Sequence, residues 1–181
     1  VQRGDADGMV AGAINTTADV VRTAIQLVGT ESPGALVSSF FLMMLCEPFH
    51  KIKGGIIFSD CALVVDPDAE QLAKIALAAA ATAESLLSQE ARVALLSFST
   101  AGSAKHPAVS KVAEATQQVK QAQPTLKVDG DIQLDAAIVA EIAQRKLPDS
   151  AIQGQANVLI FPNLDAGNIG YKLVERMAGA K

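Results

Sequence analysis

The sequence predicts an α/β protein with three layers, in which helices cover both faces of a mostly parallel sheet. Short apolar runs alternate with longer helical segments along 181 residues, and half of the residues are hydrophobic. Such alternation is typical of parallel sheets, because each connecting helix packs back onto a face of the sheet. Two apolar runs follow one another without a helix between them, which favours an antiparallel pair within the sheet.

Six short apolar or β-branched runs predict strands: residues 9–13, 35–45, 55–65, 92–98, 126–128 and 157–161. The first follows the turn sequence GDADG, and the fourth contains the apolar core VALLSF. Residues 47–54 form the loop that makes a hairpin of the second and third strands. Asp129 and Gly130, after the fifth run, are interpreted as a turn.

Five segments with helical periodicity predict helices: residues 16–28, 67–87, 107–122, 134–146 and 167–178. Thr16 or Thr17 can cap the first helix and Gly29 can end it. Pro67 suits the first turn of the second helix. We expect the whole of residues 1–181 to form one α/β domain.

Composition excludes several classes of function. The net charge is −4, aromatic residues make up 4% and Trp is absent, which argues against nucleic-acid binding. No apolar run reaches the about 18 residues of a membrane span, and no signal peptide is visible. Cys46 and Cys61 lack metal-ligand spacing, which favours a reduced cytoplasmic protein without a metal site, and we expect no permanently bound cofactor. Because the chain opens at Val1 rather than Met, we expect it to be part of a longer polypeptide.

The segments that follow four predicted strands are rich in Gly, Ser, Thr, Asn and Asp, and each leads into a helix. In a parallel sheet these segments meet at one edge, where helix N-termini attract anions. Arg22 and Lys172 can add positive charge there. Ordinary helix capping and turn formation explain any one of these segments equally well.

Two weaker patterns suggest chemistry. Ser97, Ser99 and Ser103 lie near His106, as in nucleophilic catalysis, but no GxSxG motif is present. The acidic residues Asp129, Asp131 and Asp135 could suggest magnesium, although Asp135 fits a helix start. No nucleotide-binding glycine motif occurs.

Four motifs together are more specific: ADGMVAGAINTTADVVR, LLSFSTAGSAKHP, VDGDIQLDAA and ANVLIFPNLDAGNIGYKLVERMAG. In order and spacing they resemble the phosphotransacetylases, or phosphate acetyltransferases, and most closely the short single-function and ethanolamine-utilisation types. The resemblance implies reversible transfer of an acetyl group between coenzyme A (CoA) and phosphate, with both as substrates and no catalytic metal. It also implies an isocitrate/isopropylmalate dehydrogenase-like fold of two α/β domains and a homodimer joined through the second domain.

The resemblance further implies which residues line the substrate cleft. They are Arg22, Thr16, Thr17, Ser99, Thr100, Asn168 and Lys172. The family's Asp-Leu-Ser-Arg-Gly motif and its aspartate base match no residue up to Lys181, so the catalytic residues remain unassigned. The family's N-terminal half also has no counterpart here, and the chain corresponds to the second domain with its junctions.

The stretch FPNLDAGNIGYK has two glycines near a predicted helix start, where they let the backbone approach a ligand or a neighbouring segment closely. We expect Asn163, Gly167, Asn168 and Gly170 to shape a loop at the cleft. The alternative is that the glycines only pack the last helix tightly onto the sheet.

Three other functions remain open. A phosphotransacetylase-like domain can bind acetyl-CoA without catalysis and regulate assembly, as in some malic enzymes. The related phosphate butyryltransferases share the fold. An oxidoreductase of the isocitrate dehydrogenase type rests on fold analogy alone and lacks the expected metal-binding aspartates and nucleotide loop.

Overall fold

The structure is a computed structural model that describes residues 1–30, 32, 34–50, 52 and 54–181. These residues divide into two compact units, Val1–Val37 and Ser38–Lys181. The first unit contains helix α1 (Thr17–Leu27). The predicted loop 47–54 lies in the second unit, and two of its residues fall outside the described ranges. Within those ranges, no helix combines the length and the apolar character needed to cross a membrane.

The second unit is a five-stranded sheet with helices on both faces. Its elements are β1 (Phe40–Leu45), β2 (Gly54–Ser59), α2 (Ala69–Leu87), β3 (Arg92–Leu96), α3 (Pro107–Ala122), β4 (Lys127–Ile132), α4 (Leu134–Ile138), α5 (Ala140–Lys146), β5 (Val158–Ile160) and α6 (Leu164–Ala178). The strand order is β1-β2-β5-β3-β4. β1 pairs antiparallel with β2 and the other pairs are parallel, so the predicted mostly parallel sheet and its antiparallel element are confirmed.

The core lies on both sides of this sheet. One face carries an apolar cluster against which α6 packs through Tyr171 and Val174. Its largest members in the strands are Met43, Ile56, Phe58, Leu96, Ile132 and Leu159, and Phe161 joins it directly after β5. Helices α2 and α3 contribute no member of that cluster, but they bury residues such as Leu72 and Val112 against the opposite face. The predicted three layers follow from this division.

The strand predicted at residues 9–13 is wrong. Gly12 adopts a left-handed conformation with φ of 97°, which interrupts an extended run, and the Val10 side chain is fully exposed. A strand needs a hydrogen-bonded neighbour, and among the described residues the sheet contains only β1 to β5. The predicted first helix is confirmed, with Thr16 rather than Thr17 as its cap.

Two predicted strands extend too far. β1 begins at Phe40 rather than at residue 35, and β2 ends at Ser59 rather than at residue 65. The Asp60 carboxylate accepts hydrogen bonds from the backbone N–H groups of Ala62 and Leu63, which turns the chain out of the sheet after β2. It also accepts from the N–H of Ser39, the residue before β1.

The turn predicted at Asp129 and Gly130 is also wrong, because β4 continues through both residues. Gly130 lies directly against the side chain of Thr116 on α3, where a Cβ atom would clash. The Asp129 carboxylate accepts hydrogen bonds from Ser150 Oγ at 2.7 Å and from the Ile152 N–H at 3.2 Å. Tertiary contacts thus override a sequence that favours a turn.

Two predicted helices have different bounds. The segment 134–146 is interrupted at Val139, which is extended with φ of −125° and ψ of 111° and separates α4 from α5. The last helix begins at Leu164 rather than at Gly167, because the Asn163 side chain caps it by accepting a hydrogen bond from the Ala166 N–H at 3.0 Å. Helix α2 begins at Ala69, after a capping box formed by Asp68 and Gln71.

Candidate functional site

The loops at the carboxyl ends of the parallel strands are tied to one another. We call this edge of the sheet, formed by residues 60–66, 97–106, 133 and 161–163, the rim. The Leu164 N–H donates to the Val65 carbonyl at 2.9 Å, which joins the loops after β5 and β2. Lys111 Nζ donates to Asp66 Oδ1 at 2.7 Å and to the Pro162 carbonyl at 3.0 Å. Helix α3 is thereby fastened to both loops.

A buried carboxylate organises the loop after β2. Asp60 is 3% exposed, and its oxygens accept hydrogen bonds from the side chain and the N–H of Ser39. They also accept from the N–H groups of Ala62 at 2.8 Å, Leu63 at 3.0 Å and Val64 at 3.4 Å. A carboxylate that accepts several backbone N–H bonds is satisfied without a cation. The start of β1 and the loop after β2 are therefore held together by one side chain.

Helix α6 rests on this loop and carries two of the predicted site residues. Asn168 Nδ2 donates to the Cys61 carbonyl at 3.3 Å, and Lys172 Nζ donates to Asn168 Oδ1 at 2.8 Å. The Lys172 ammonium also lies 5.7 Å from the centre of the Tyr171 ring. Lys172 is exposed, so its remaining hydrogens face solvent.

The two glycines of this segment lie inside α6 rather than in a loop, so the predicted glycine-shaped loop is wrong. A Cβ atom on Gly167 would clash with the Asp60 carbonyl and lie 3.0 Å from Cys61 Sγ. One on Gly170 would lie 3.0 Å from the Phe161 ring. The glycines thus let the helix approach the loop after β2 and the end of β5.

The loop after β3 holds the predicted residues Ser99 and Thr100, which are buried. Ser99 Oγ accepts a hydrogen bond from the Ala104 N–H at 3.2 Å and lies 3.2 Å from Ser103 Oγ. Thr100 Oγ1 accepts from the Gln133 N–H at 3.0 Å. Both hydroxyls therefore shape the loop, whose exposed residues are Phe98, Ala101, Gly102, Ser103, Lys105 and His106.

Asp131 supports this loop from the end of β4, and the sequence reasoning did not single it out for that purpose. It is the extra residue of a β-bulge, with φ of 48°. Its Oδ2 accepts a hydrogen bond from the Gly102 N–H at 2.6 Å, and its carbonyl accepts from the Ala101 N–H at 2.9 Å. Its Oδ1 is buried and has no hydrogen-bond partner among the described residues. A left-handed Asp at a bulge is a conformation often found near functional sites.

Helix α1, in the first unit, carries the other predicted residues. Thr16 Oγ1 accepts a hydrogen bond from the Asp19 N–H at 3.2 Å and donates to Asp19 Oδ2 at 2.6 Å. Arg22 Nη1 donates to Asp19 Oδ1 at 2.9 Å. The Arg22 side chain is 64% exposed, so most of its five donors face solvent. Thr17 occupies the first helical position and is exposed.

The two weaker patterns do not form sites in the described residues. His106 Nδ1 caps α3 by accepting a hydrogen bond from the Ala108 N–H at 3.1 Å, and no serine hydroxyl that the structure describes bonds its ring. No three His, Cys, Asp or Glu side chains within the described ranges lie together as metal ligands. Asp135 instead pairs with Lys146 at 2.8 Å, and this hydrogen bond lowers the pKa of its carboxyl.

The two cysteines differ in environment. Cys61 is fully buried beneath Gly167, whereas Cys46 is exposed. Burial, reinforced by the neighbouring Asp60 charge, raises the pKa of the Cys61 thiol to about 12. Cys61 is therefore a neutral thiol at physiological pH and a poor nucleophile.

Comparison with known proteins identifies the family to which this chain is similar. A family model described as Phosphate acetyl/butaryl transferase matches residues 1–181. The chain belongs to this family. The resemblance drawn from the four motifs is thus confirmed.

Named relatives and solved structures of this family are similar over nearly the whole chain. Phosphate acetyltransferase of Paracoccus denitrificans is 54% identical over 180 residues, which are 99% of this chain and 56% of the relative. That of Thermoanaerobacterium thermosaccharolyticum is 52% identical over 99% of this chain and 55% of the relative. A phosphotransacetylase from Streptococcus pyogenes superposes with a TM-score of 0.88 at 44% identity, over 99% of this chain and 53% of that one. A branched-chain phosphotransacylase from Enterococcus faecalis V583 gives a TM-score of 0.75 at 25% identity, over 93% of this chain and 58% of that one. The chain spans about half the length of the curated relatives it matches.

The structure brings some of the predicted site residues together. Asn168 and Lys172 form a pair on α6, Ser99 and Thr100 shape one loop, and Thr16 and Arg22 share Asp19. Their roles toward a ligand stay a prediction. The supporting residues that the sequence reasoning missed are Asp60, Lys111 and Gln133. Their only sequence signal is their position directly after a strand or in the first turns of a helix.

Proposed function

We propose that the chain is part of a phosphate acetyltransferase, which transfers an acetyl group reversibly between CoA and inorganic phosphate. The observation that carries this proposal is the family match over residues 1–181, with relatives named phosphate acetyltransferase at 54% and 52% identity. Both substrates are anions. The exposed cationic groups of Arg22 and Lys172 are the groups we propose to bind them.

Chemistry supports Arg22 as a phosphate ligand. One nitrogen of its guanidinium bonds Asp19, and the others can donate a planar pair of hydrogen bonds to an anion. The pair with Asp19 is exposed, so it costs little to rearrange. Lys172 supplies a point charge instead, which suits a phosphate approached from any direction. We infer that Thr16 and Thr17 position Arg22 within the first unit. In the second unit, we infer that Asn168 positions Lys172 and that Ser99 and Thr100 shape the loop after β3.

The test uses the full-length enzyme with each cation removed. Arg22→Ala is expected to lower kcat/KM for CoA or phosphate by roughly ten- to a hundredfold, since a charge-assisted hydrogen bond contributes about 1.5–3 kcal/mol. Arg22→Lys keeps the charge and loses the planar pair, so it should recover only part of this loss. Arg176→Ala is the matched control, because Arg176 is also exposed and helical but lies in the last turn of α6. Unchanged kinetics in Arg22→Ala with normal kinetics in the control would remove Arg22 from the site.

The 181-residue chain itself should bind anions but not turn them over. The thiol base implied by the resemblance matches none of its residues, and general-base catalysis typically contributes about 10²–10⁴-fold. The assay is CoA-dependent release of phosphate from acetyl phosphate, run beside the full-length enzyme. Binding of acetyl-CoA without turnover in the full-length protein would favour the second candidate, a regulatory acetyl-CoA-binding domain.

The acyl group is the other open choice. Similarity to a branched-chain phosphotransacylase at 25% identity keeps phosphate butyryltransferase as a candidate, while the higher identity to phosphate acetyltransferases favours acetyl. Measuring kcat/KM of the full-length enzyme with acetyl, propionyl, butyryl and isobutyryl phosphate decides between them. An optimum at butyryl would overturn the acetyl assignment.

We propose that the protein works as a cytoplasmic homodimer, as the resemblance implies. The free state of Cys46 and Cys61 agrees with a reducing compartment. Sedimentation of the full-length protein at several concentrations tests the dimer. A monomer at tens of micromolar would refute it.

A further inference from the structure

Strand β1 has the sequence of an interior strand but occupies an edge of the described sheet. All six of its residues, FFLMML, are apolar, and it is the first strand in the order β1-β2-β5-β3-β4. Edge strands in natural proteins usually carry a lysine, a proline or a bulge that discourages further pairing, and β1 has none of these. Phe40 and Leu42 are 44% and 37% exposed. This composition indicates that something covers the outer side of β1.

The end of α6 directs the backbone onto that outer side. Gly179 ends the helix in the left-handed conformation, with φ of 68°, and Ala180 is buried. The Lys181 N–H donates to the Met44 carbonyl at 3.1 Å, and the Met44 N–H donates to the Lys181 carbonyl at 2.6 Å. Two residues that exchange both hydrogen bonds form the hydrogen-bonded pair of an antiparallel ladder. Lys181 therefore already has the position of a strand residue beside β1.

Alternation along β1 leaves further backbone groups on the same side. Because the Met44 N–H and carbonyl point away from β2, those of Leu42 and Phe40 do so as well. No described residue pairs with these groups. The opposite side is occupied, since Phe41 and Met43 pair with Phe58 and Ile56 of β2.

We propose that the outer edge of β1 is the seat of a sixth strand, formed by the polypeptide that continues from Lys181 in a protein of the relatives' length. The register follows from the Met44–Lys181 pair. The residue two positions beyond Lys181 lies opposite Leu42, and the residue four positions beyond lies opposite Phe40.

The direction of this strand has a functional consequence. It runs antiparallel to β1, and β1 runs antiparallel to β2, so the sixth strand is parallel to β2, β5, β3 and β4. It ends beside Ser39 and Asp60, on the rim. The polypeptide that follows is thereby delivered to the edge where the loops after the other parallel strands gather. This inference stands whether or not the transferase proposal holds, because it rests on the composition and exposure of β1 and on its backbone pairing with Lys181.

A second copy of the chain is the competing occupant of this edge. Pairing of two β1 strands would have to displace Lys181 from Met44 or use only the remaining part of the strand. Continuation from Lys181 needs no such rearrangement. It also keeps both hydrogen bonds that are already made.

Amide hydrogen exchange with residue resolution tests the proposal in the full-length protein and in the 181-residue chain. The amide of Leu42 should exchange at least roughly tenfold more slowly in the full-length protein, because only there is it paired. The amide of Met43 is the internal control, since it faces β2 in both proteins. Equal exchange of Leu42 in the two proteins would overturn the proposal. So would concentration-dependent protection of Leu42 in the 181-residue chain, which identifies a second copy.

A proline substitution provides an independent measurement. Leu42→Pro removes an outward N–H and leaves pairing with β2 intact, and Leu42→Ala controls for the lost side chain. In the 181-residue chain, both variants should melt at similar temperatures. In the full-length protein, Leu42→Pro should melt about 2–4 °C or more below Leu42→Ala, because a ladder hydrogen bond is lost. If the melting temperatures of Leu42→Pro and Leu42→Ala differ by the same small amount in both proteins, the sixth strand is refuted.

Discussion

Asp60 holds the loop after β2 to the start of β1, and its replacement by asparagine tests how much of the rim depends on one carboxylate. In Asp60→Asn, the remaining carbonyl oxygen can keep the bonds from the Ser39 hydroxyl and from the N–H groups of Ala62 and Leu63. The new amide group faces the N–H groups of Ser39 and Val64, now donor against donor. Two hydrogen bonds to a charged acceptor are lost.

Each such bond contributes about 1.5–3 kcal/mol, and because the two share one acceptor their loss is less than additive. We expect Asp60→Asn to lower the free energy of unfolding by about 2–4 kcal/mol. Asp60 is only 3% exposed, so solvent screens these hydrogen bonds little. For a chain of this size, the melting temperature should fall by roughly 5–15 °C. Thermal melts followed by circular dichroism measure it.

The control is Asp66→Asn, whose side chain is 77% exposed and pairs with Lys111. An exposed pair contributes about 0.2–1 kcal/mol, so this variant should melt close to the parent chain. If Asp60→Asn and Asp66→Asn melt within about 2 °C of each other, the carboxylate does not hold the loop and the reasoning fails.

Three further outcomes can be measured on the same chain. A thiol reagent should modify Cys46 rapidly and leave Cys61 unmodified in the folded state. Because burial raises the pKa of the Cys61 thiol from 9.0 to about 12, its contribution to stability is present below pH 9 and is lost as pH rises toward 12, by up to about 1.4 kcal/mol per pH unit. Cys61→Ala should flatten this alkaline loss in pH-dependent denaturation. Gly167→Ala should destabilise the chain by about 1–2 kcal/mol in urea unfolding, since the overpacking cost against the backbone after β2 exceeds the gain in helix propensity. Lys146→Met should lower the free energy of unfolding by less than about 1 kcal/mol at pH 7. This loss should shrink as pH falls below about 4, because the pair with Lys146, which lowers the pKa of Asp135, stabilises the fold only while the Asp135 carboxyl is ionised.

Local sequence signals were sufficient where the structure is locally determined. Helix α3 has the predicted bounds because Pro107 fits the first helical position and the apolar period continues to Ala122. The start of α6 was missed although Asn163 is a good capping residue, because two glycines close by favour a loop. Periodicity and capping thus predict most elements, and they fail where a residue's role is decided by a distant neighbour.

The candidate site shows the same limit more strongly. Asp60 bonds Ser39, which lies 21 residues earlier, and Asp131 bonds Gly102, 29 residues earlier. Nothing in the local sequence distinguishes these aspartates from ordinary turn residues. The sequence located the rim through the residues that follow each strand, but the partners of those residues depend on how the strands are ordered in the sheet.

These partners limit the negative charge that the rim presents to solvent, in a chain whose net charge is −4. Asp60 and Asp131 are 3% and 7% exposed and direct their charge onto backbone N–H groups. Asp66 and Asp135 reach solvent but each is paired with a lysine. Interactions between exposed charges are screened beyond about 8 Å at physiological salt, so the net charge of the whole chain matters less than these local pairings. Among the described residues, Lys172 forms no ion pair and donates to the neutral amide of Asn168, and we therefore expect it to attract an anionic substrate despite the acidic composition.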